Sequence, residues 1–138
     1  MSGEAKVSGV QIQNGPHGHD IGDTGFTPSQ LTRMDEALTL SSRESGLTFS
    51  VYIGTLAQPT RGHAEALFEK LSDDAVLLAV SPGQRVLHIV TGPGSSQRLP
   101  NRACALAAFA MKASFAHGEL VGGVVTGLRM LADSAGSA

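Results

Sequence analysis

From Phe26 onward the alternation of apolar and polar residues changes period several times, and each change marks an element. "FTPSQL" places Thr27 as N-cap, Pro28 at N1 and Gln30 at N3, which is a capping box. Phe26 and Leu31 occupy the two positions of a hydrophobic staple. Leu31, Met34, Ala37 and Leu38 carry a helical stripe that stops before Gly46, a residue suited to the C′ position. "LTFSVYI" (47–53) then alternates Leu47, Phe49, Val51 and Ile53 with Thr48, Ser50 and Tyr52, a strand with one greasier face. "TRGHAEALFEKLS" returns to helical spacing, with Thr60 as N-cap and Ala64, Leu67, Phe68 and Leu71 on one side. "AVLLAV" (75–80) is apolar without alternation, as a central strand covered on both faces requires. "SPGQ", with Pro at i+1 and Gly at i+2, predicts a type II turn into the return strand "RVLHIVT" (85–91). Two helical stretches follow. "PNRACALAAFAMKASF" is Ala-rich with Pro100 near its start. "ELVGGVVTGLRML" keeps Leu120, Val121, Val124, Val125 and Leu128 at helical spacing, while Gly122, Gly123 and Gly127 weaken the helix or mark close packing.

The predicted order over residues 26–133 is therefore α-β-α-β-β-α-α. A β-α-β unit leaves the first two strands parallel, and the hairpin sets the third antiparallel to the second. The expected fold is α/β, a small mixed sheet flanked by helices on both faces. Residues 1–25 lack periodicity and read as a disordered arm; residues 134–138 read as a disordered tail.

Composition narrows the function. With 138 residues, 41% of them hydrophobic, the chain holds one domain with a core of its own. A net charge of −2, one Tyr and no Trp leave neither a basic field for phosphates nor stacking platforms, which argues against nucleic acid as a partner. The single cysteine, Cys104, excludes an internal disulfide and, on an Ala-rich face, reads as a buried small apolar residue. Without an apolar leader or a run of about 18 apolar residues, the expected location is cytoplasmic.

One constellation carries candidate chemistry. If Val80 faces Arg85 across the turn, then Asp74 faces Thr91 and Asp73 faces Gly92, within one residue. The two carboxylates then share a sheet edge with the "TGPG" loop and the start of the Ala-rich helix. Thr91, Gly92 and Gly94 offer close backbone approach, and Arg98 and Arg102 bring positive charge, so these five residues form a candidate anion site. Asp73 and Asp74 are candidate ligands for a hard divalent cation, Ca2+ or Mg2+. The same residues also suit a solvated strand end followed by ordinary Gly-Pro-Gly punctuation. The loop lacks the third glycine of a dinucleotide fingerprint and any Gly-Lys-Ser/Thr. Elsewhere, His17, His19 and Asp20 make at most an adventitious transition-metal site. His63 should be exposed in the first turn of its helix. His88 should be packed or hydrogen-bonded on the Val86/Val90 face. His117 and Glu119 form an acid/base pair or, more simply, cap two helices.

The stretches "GLTFSVYIGTL", the acidic pair before "AVLLAV", "RVLHIVTGPG", "LP" and "FAHGEL" together resemble the TPM-domain family over about residues 40–132. Those are small α/β domains of thylakoid-lumen acid-phosphatase-like proteins and bacterial exported proteins, and the likeness is particularly close to small actinobacterial relatives of unknown function. The resemblance implies divalent-cation binding and weak phosphatase activity at the acidic position, which Asp73 and Asp74 match, with Gly92 and Gly94 matching the loop. Ala75 stands where that family has Gly, the usual Asn is missing, as is the Leu-Glu after the loop, and the family's common signal peptide and membrane anchor are not present in this sequence. Two functions follow. One is a non-catalytic binding or accessory module, meeting a protein partner through the arm and exposed helices. The other is a metal-assisted phosphatase-like hydrolase, with Asp73 and Asp74 on the metal and Arg98 on the phosphate. No nucleophile with a recognisable partner and no general acid accompany the carboxylates, which favours the module.

Overall fold

The computed structural model of the protein describes residues 9–12 and 26–137. Helix α1 spans Pro28–Ser45 and opens as its sequence requires: Thr27 Oγ1 accepts from the Gln30 N–H at 3.1 Å while Gln30 Oε1 accepts from the Thr27 N–H at 2.9 Å. Gly46, at φ 81°, closes it with its N–H on the Ser42 carbonyl. Strands β1 (Gly9–Ile12), β2 (Thr48–Ile53), β3 (Ala75–Ser81) and β4 (Val86–Thr91) form one mixed sheet in that spatial order. β1, β2 and β3 run parallel and β4 antiparallel to β3. Helices α2 (Thr60–Phe68), α3 (Asn101–Ala116) and α4 (Leu120–Ala135) complete the α/β fold. No helix among the described residues is long and apolar enough to cross a membrane.

The faces sort as the alternation predicts. Phe49, Val51 and Ile53 of β2, with Val76, Leu78 and Val80 of β3, point into a core built with α1, α3 and α4. Tyr52, Leu77, Ala79 and Val90 point the other way, onto α2 through Ala64, Leu67 and Phe68. β3 is buried along its whole length because both of its faces are covered, which is why its sequence shows no alternation. The α4 glycines mark close packing. A Cβ at Gly123 would fall 2.5 Å from the Phe115 ring, and one at Gly127 would collide with Met111 Sδ.

Four expectations need correction. Gly9–Ile12 lies within the predicted disordered arm, yet it pairs in parallel with Ser50–Ile53. Four residues are too few to show a period of their own, and the open backbone groups along β2 are what give them a place. The other residues of 1–25, His17, His19 and Asp20 included, lie outside the described residues. α4 continues through Ala135, two residues past the expected boundary, before Gly136. Thr60 is the first residue of α2, and Pro59 takes the N-cap. The hairpin does not use a type II turn: Pro82–Gln84 forms one 3-10 turn, and Arg85 rather than Gly83 takes the left-handed conformation, at φ 55°. The Gln84 side chain dictates this path. Its amide accepts from Leu56 N–H at 2.8 Å, donates to Leu56 O at 2.9 Å, and receives the Ser81 hydroxyl. A left-handed non-glycine costs roughly 1–2 kcal/mol, so Arg85 is held there against its own preference. The longer turn moves the register by two, pairing Val80 with Leu87.

Candidate functional site

Asp73 and Asp74 stand at the entry to β3 with both side chains exposed, and their carbonyls tie three segments together. Asp74 O accepts from the Thr48 N–H at 3.2 Å, and Asp73 O accepts from the N–H groups of Gly94 and Ser95, each at 3.1 Å. Ser95 is fully buried. Its hydroxyl donates to Ala75 O at 2.7 Å and accepts from the Gly92 N–H at 2.9 Å, while the Ser96 N–H binds Gly92 O at 2.9 Å. A Cβ at Gly92 would sit 2.7 Å from Asp73 O and 2.8 Å from the Phe68 ring, and one at Gly94 would strike Asp74 Oδ1. Gly92 and Gly94 thus allow the loop to close on the chain's own strand entry. The two-residue register shift brings Asp73 beside Gly94 instead of Gly92, and because it is an even shift every side chain keeps its face.

The structure therefore brings Asp73, Asp74, Gly92 and Gly94 together, with Thr91 half-buried at the end of β4. It does not bring the arginines to them. Arg98 Nη2 donates to the carbonyls of Ala135 (2.9 Å), Gly136 (3.2 Å) and Ser137 (3.0 Å), capping α4, where a cation meets the negative helix end. Arg102 lies exposed in the first turn of α3. Among the described residues no three His, Cys, Asp or Glu side chains are grouped to hold a metal ion. Sequence reasoning missed Ser95, whose place just after Gly-Pro-Gly was its one signal.

A second cluster joins α2 to β4. Thr60 Oγ1 and His88 Nε2 lie 2.9 Å apart, Arg61 Nη1 donates to Ile89 O at 3.3 Å, and Arg61 Nε meets Glu65 at 3.1 Å. His88 is hydrogen-bonded on the Val86/Val90 face, as expected. Burial, then the Arg61 and Lys112 cations, holds its pKa below the ordinary imidazole value, with Glu65 opposing. A hydroxyl beside an imidazole is nucleophile–base geometry, but among the described residues no third group orients the ring, and the pair bridges 28 residues of chain as an inter-element tie. His63 is half-buried rather than exposed as expected, because its Nδ1 accepts from the Ala57 N–H at 2.7 Å and its ring meets Tyr52 edge-on at 6.2 Å. His117 closes α3 with Nδ1 2.9 Å from Ala113 O, and Glu119 precedes α4 without a side-chain cap, so the two form no acid/base pair. Cys104 is half-buried, and burial pushes its thiol above the ordinary value, away from the reactive thiolate.

A third region was not foreseen. The solvent side of α3 exposes Ala105, Leu106, Phe109, Ala113 and Ala116, with Leu106 54% and Phe109 77% accessible. The only charged residues of α3 are Arg102 and Lys112, both basic and both exposed. An Ala-rich stretch that is apolar all round gives no sign of which side faces water.

Comparison with known proteins places these features in a family. Uncharacterized proteins Rv2468c and MT2543 of Mycobacterium tuberculosis are each 38% identical over 108 residues, covering 77% of this chain. The match spans 65% of the length of those relatives. Among solved structures, the BA42 protein from Bizionia argentinensis superposes with a TM-score of 0.74 at 15% identity, covering 84% of each chain. The N-terminal domain of the cg2496 protein from Corynebacterium glutamicum gives a TM-score of 0.67 at 13% identity, covering 95% of this chain and 82% of that one. At these identities the likeness is one of fold. The family whose profile matches residues 2–132 is described as a domain of unknown function, DUF5130, and the chain belongs to it.

Proposed function

We propose that this domain is a non-catalytic interaction module whose contact surface is the outward side of α3, and that its partner is an acidic protein surface. The observation that carries the reading is Phe109, 77% exposed on a helix whose charges are all positive. Exposed aromatic side chains amid smaller apolar ones mark contact surfaces, and aromatic anchors beside arginine dominate binding energy. The cations of α3 select a partner with carboxylates around an apolar centre. A photo-crosslinking residue placed at position 109 in cells is expected to trap one partner. That purified partner should bind the unmodified chain and lose at least tenfold affinity on Phe109→Ser and on the Arg102→Glu/Lys112→Glu pair. A cross-link to a second copy of this chain, or unchanged affinity in both variants, overturns the reading.

A second reading assigns a divalent cation, Ca2+ or Mg2+, to Asp73 and Asp74, and with it the likeness to TPM domains and a weak metal-assisted phosphatase. It is supported by two exposed carboxylates at one sheet edge, with Asp74 Oδ1 over Gly94. Amide NMR titration with calcium, magnesium and then phosphate is expected to move residues 73, 74 and 91–98, and Asp73→Asn/Asp74→Asn to abolish the shifts. No movement there at millimolar ion removes this reading.

A further inference from the structure

The opposite end of the sheet carries a groove of about 480 Å³ between the β3–β4 turn and the α3–α4 junction. Its apolar wall comes from Val80, Leu87, Phe115 and Leu120, and its charged lining is Arg85 and Lys112. No carboxylate lines it. Glu119 opens instead onto the neighbouring surface, with Arg33. Among the described residues neither Arg85 nor Lys112 is in an ion pair, since Arg61–Glu65 is the pairing found there. We infer that this groove binds a small apolar carboxylate, of the size of a medium-chain aliphatic acid.

Three observations converge on that ligand. The volume falls in the range of about 300–1,000 Å³ typical of small-molecule sites, which combine apolar walls with a few charged anchors. Val80 and Ser81 lie at the carboxyl end of β3, where open α/β sheets receive ligands. Arg85 is the one non-glycine residue with positive φ among those described, and it lines the groove. Glycine would occupy that backbone position without strain, so the strained arginine points to a role for its guanidinium. Two like charges beside one apolar groove repel each other, and a carboxylate between them relieves that repulsion through charge-assisted hydrogen bonds. A neutral apolar molecule does not.

The test is a titration of the chain with decanoate below its micellar range, followed by amide NMR, with decanol as the neutral comparator. Shifts are expected at residues 80–87 and 112–120, with decanoate binding at least fivefold tighter than decanol. Arg85→Gly is expected to remain folded, because glycine relaxes the left-handed backbone, and to narrow the gap between decanoate and decanol, which Arg85→Gly/Lys112→Gln should close. Phe109 does not line the groove, although Lys112 and Ala116 of the same exposed side of α3 do. Phe109→Ser should therefore leave decanoate affinity unchanged, which separates this site from the proposed protein contact. Equal affinity for the two probes, an unaltered Arg85→Gly variant, shifts centred on Phe109, or no shifts at all overturns the inference.

Discussion

The two ends of β3 solve opposite problems. At the entry, the glycine-rich loop and the aspartate pair look like a binding site, yet the N–H groups of Gly92, Gly94, Ser95 and Ser96 are all engaged by the chain's own oxygens. At the exit, an ordinary-looking Pro-Gly turn holds a strained arginine beside a groove with two cations that have no counter-ion among the described residues. A loop whose donors are satisfied internally is a clamp, whatever its glycine content. A turn that carries strain and unpaired charge is where a ligand has something to contribute.

Substitutions can break or sharpen this contrast. The largest effect is expected at the clamp: Gly92→Ala drives a methyl into Asp73 O and the Phe68 ring and should cost about 2–3 kcal/mol in denaturant unfolding. A loss below about 0.5 kcal/mol would mean that the loop yields freely and is no clamp. Ser95→Ala removes two buried hydrogen bonds and leaves the Gly92 N–H and Ala75 O without them, for an expected loss of about 2 kcal/mol. At the exit the sign reverses, since Arg85→Gly should gain up to about 1 kcal/mol by relieving the left-handed backbone. The least effect is one of pH. His88 is harder to protonate folded than unfolded, so its contribution is complete above the ordinary imidazole pKa near 6.5 and is lost as pH falls below it. Thermal melts from pH 7.5 to 5 should therefore decline less in His88→Asn than in the unmodified chain.

Much of the fold was readable because it rests on local rules. The Thr27–Gln30 box, the Gly46 stop, the faces of β2 and the covered run of β3 each follow from spacing that neighbouring residues decide. What escaped depends on partners far along the chain. β1 exists by virtue of β2. The hairpin path depends on Gln84 finding the Leu56 backbone 28 residues away. Thr60 looked like a cap until His88, equally distant, offered its ring. The candidate site was half legible for the same reason. The register argument brought Asp73 and Asp74 to the loop, but nothing near Arg98 in sequence announces that it will bind the carbonyls of residues 135–137.

α4 packs against both α1 and α3 and so forms the middle of the three-helix layer, though it is the last of the described elements to leave the ribosome. Synthesis thus delivers the two flanks before the piece that joins them. Until Val124, Leu128 and Leu131 arrive, α1 and α3 each keep an apolar flank open to water, and the sheet lacks the full cover that those three buried residues help provide. The nascent domain must therefore wait, half assembled, for its final sixteen-residue helix, and that interval is when chaperone binding or self-association has its opening.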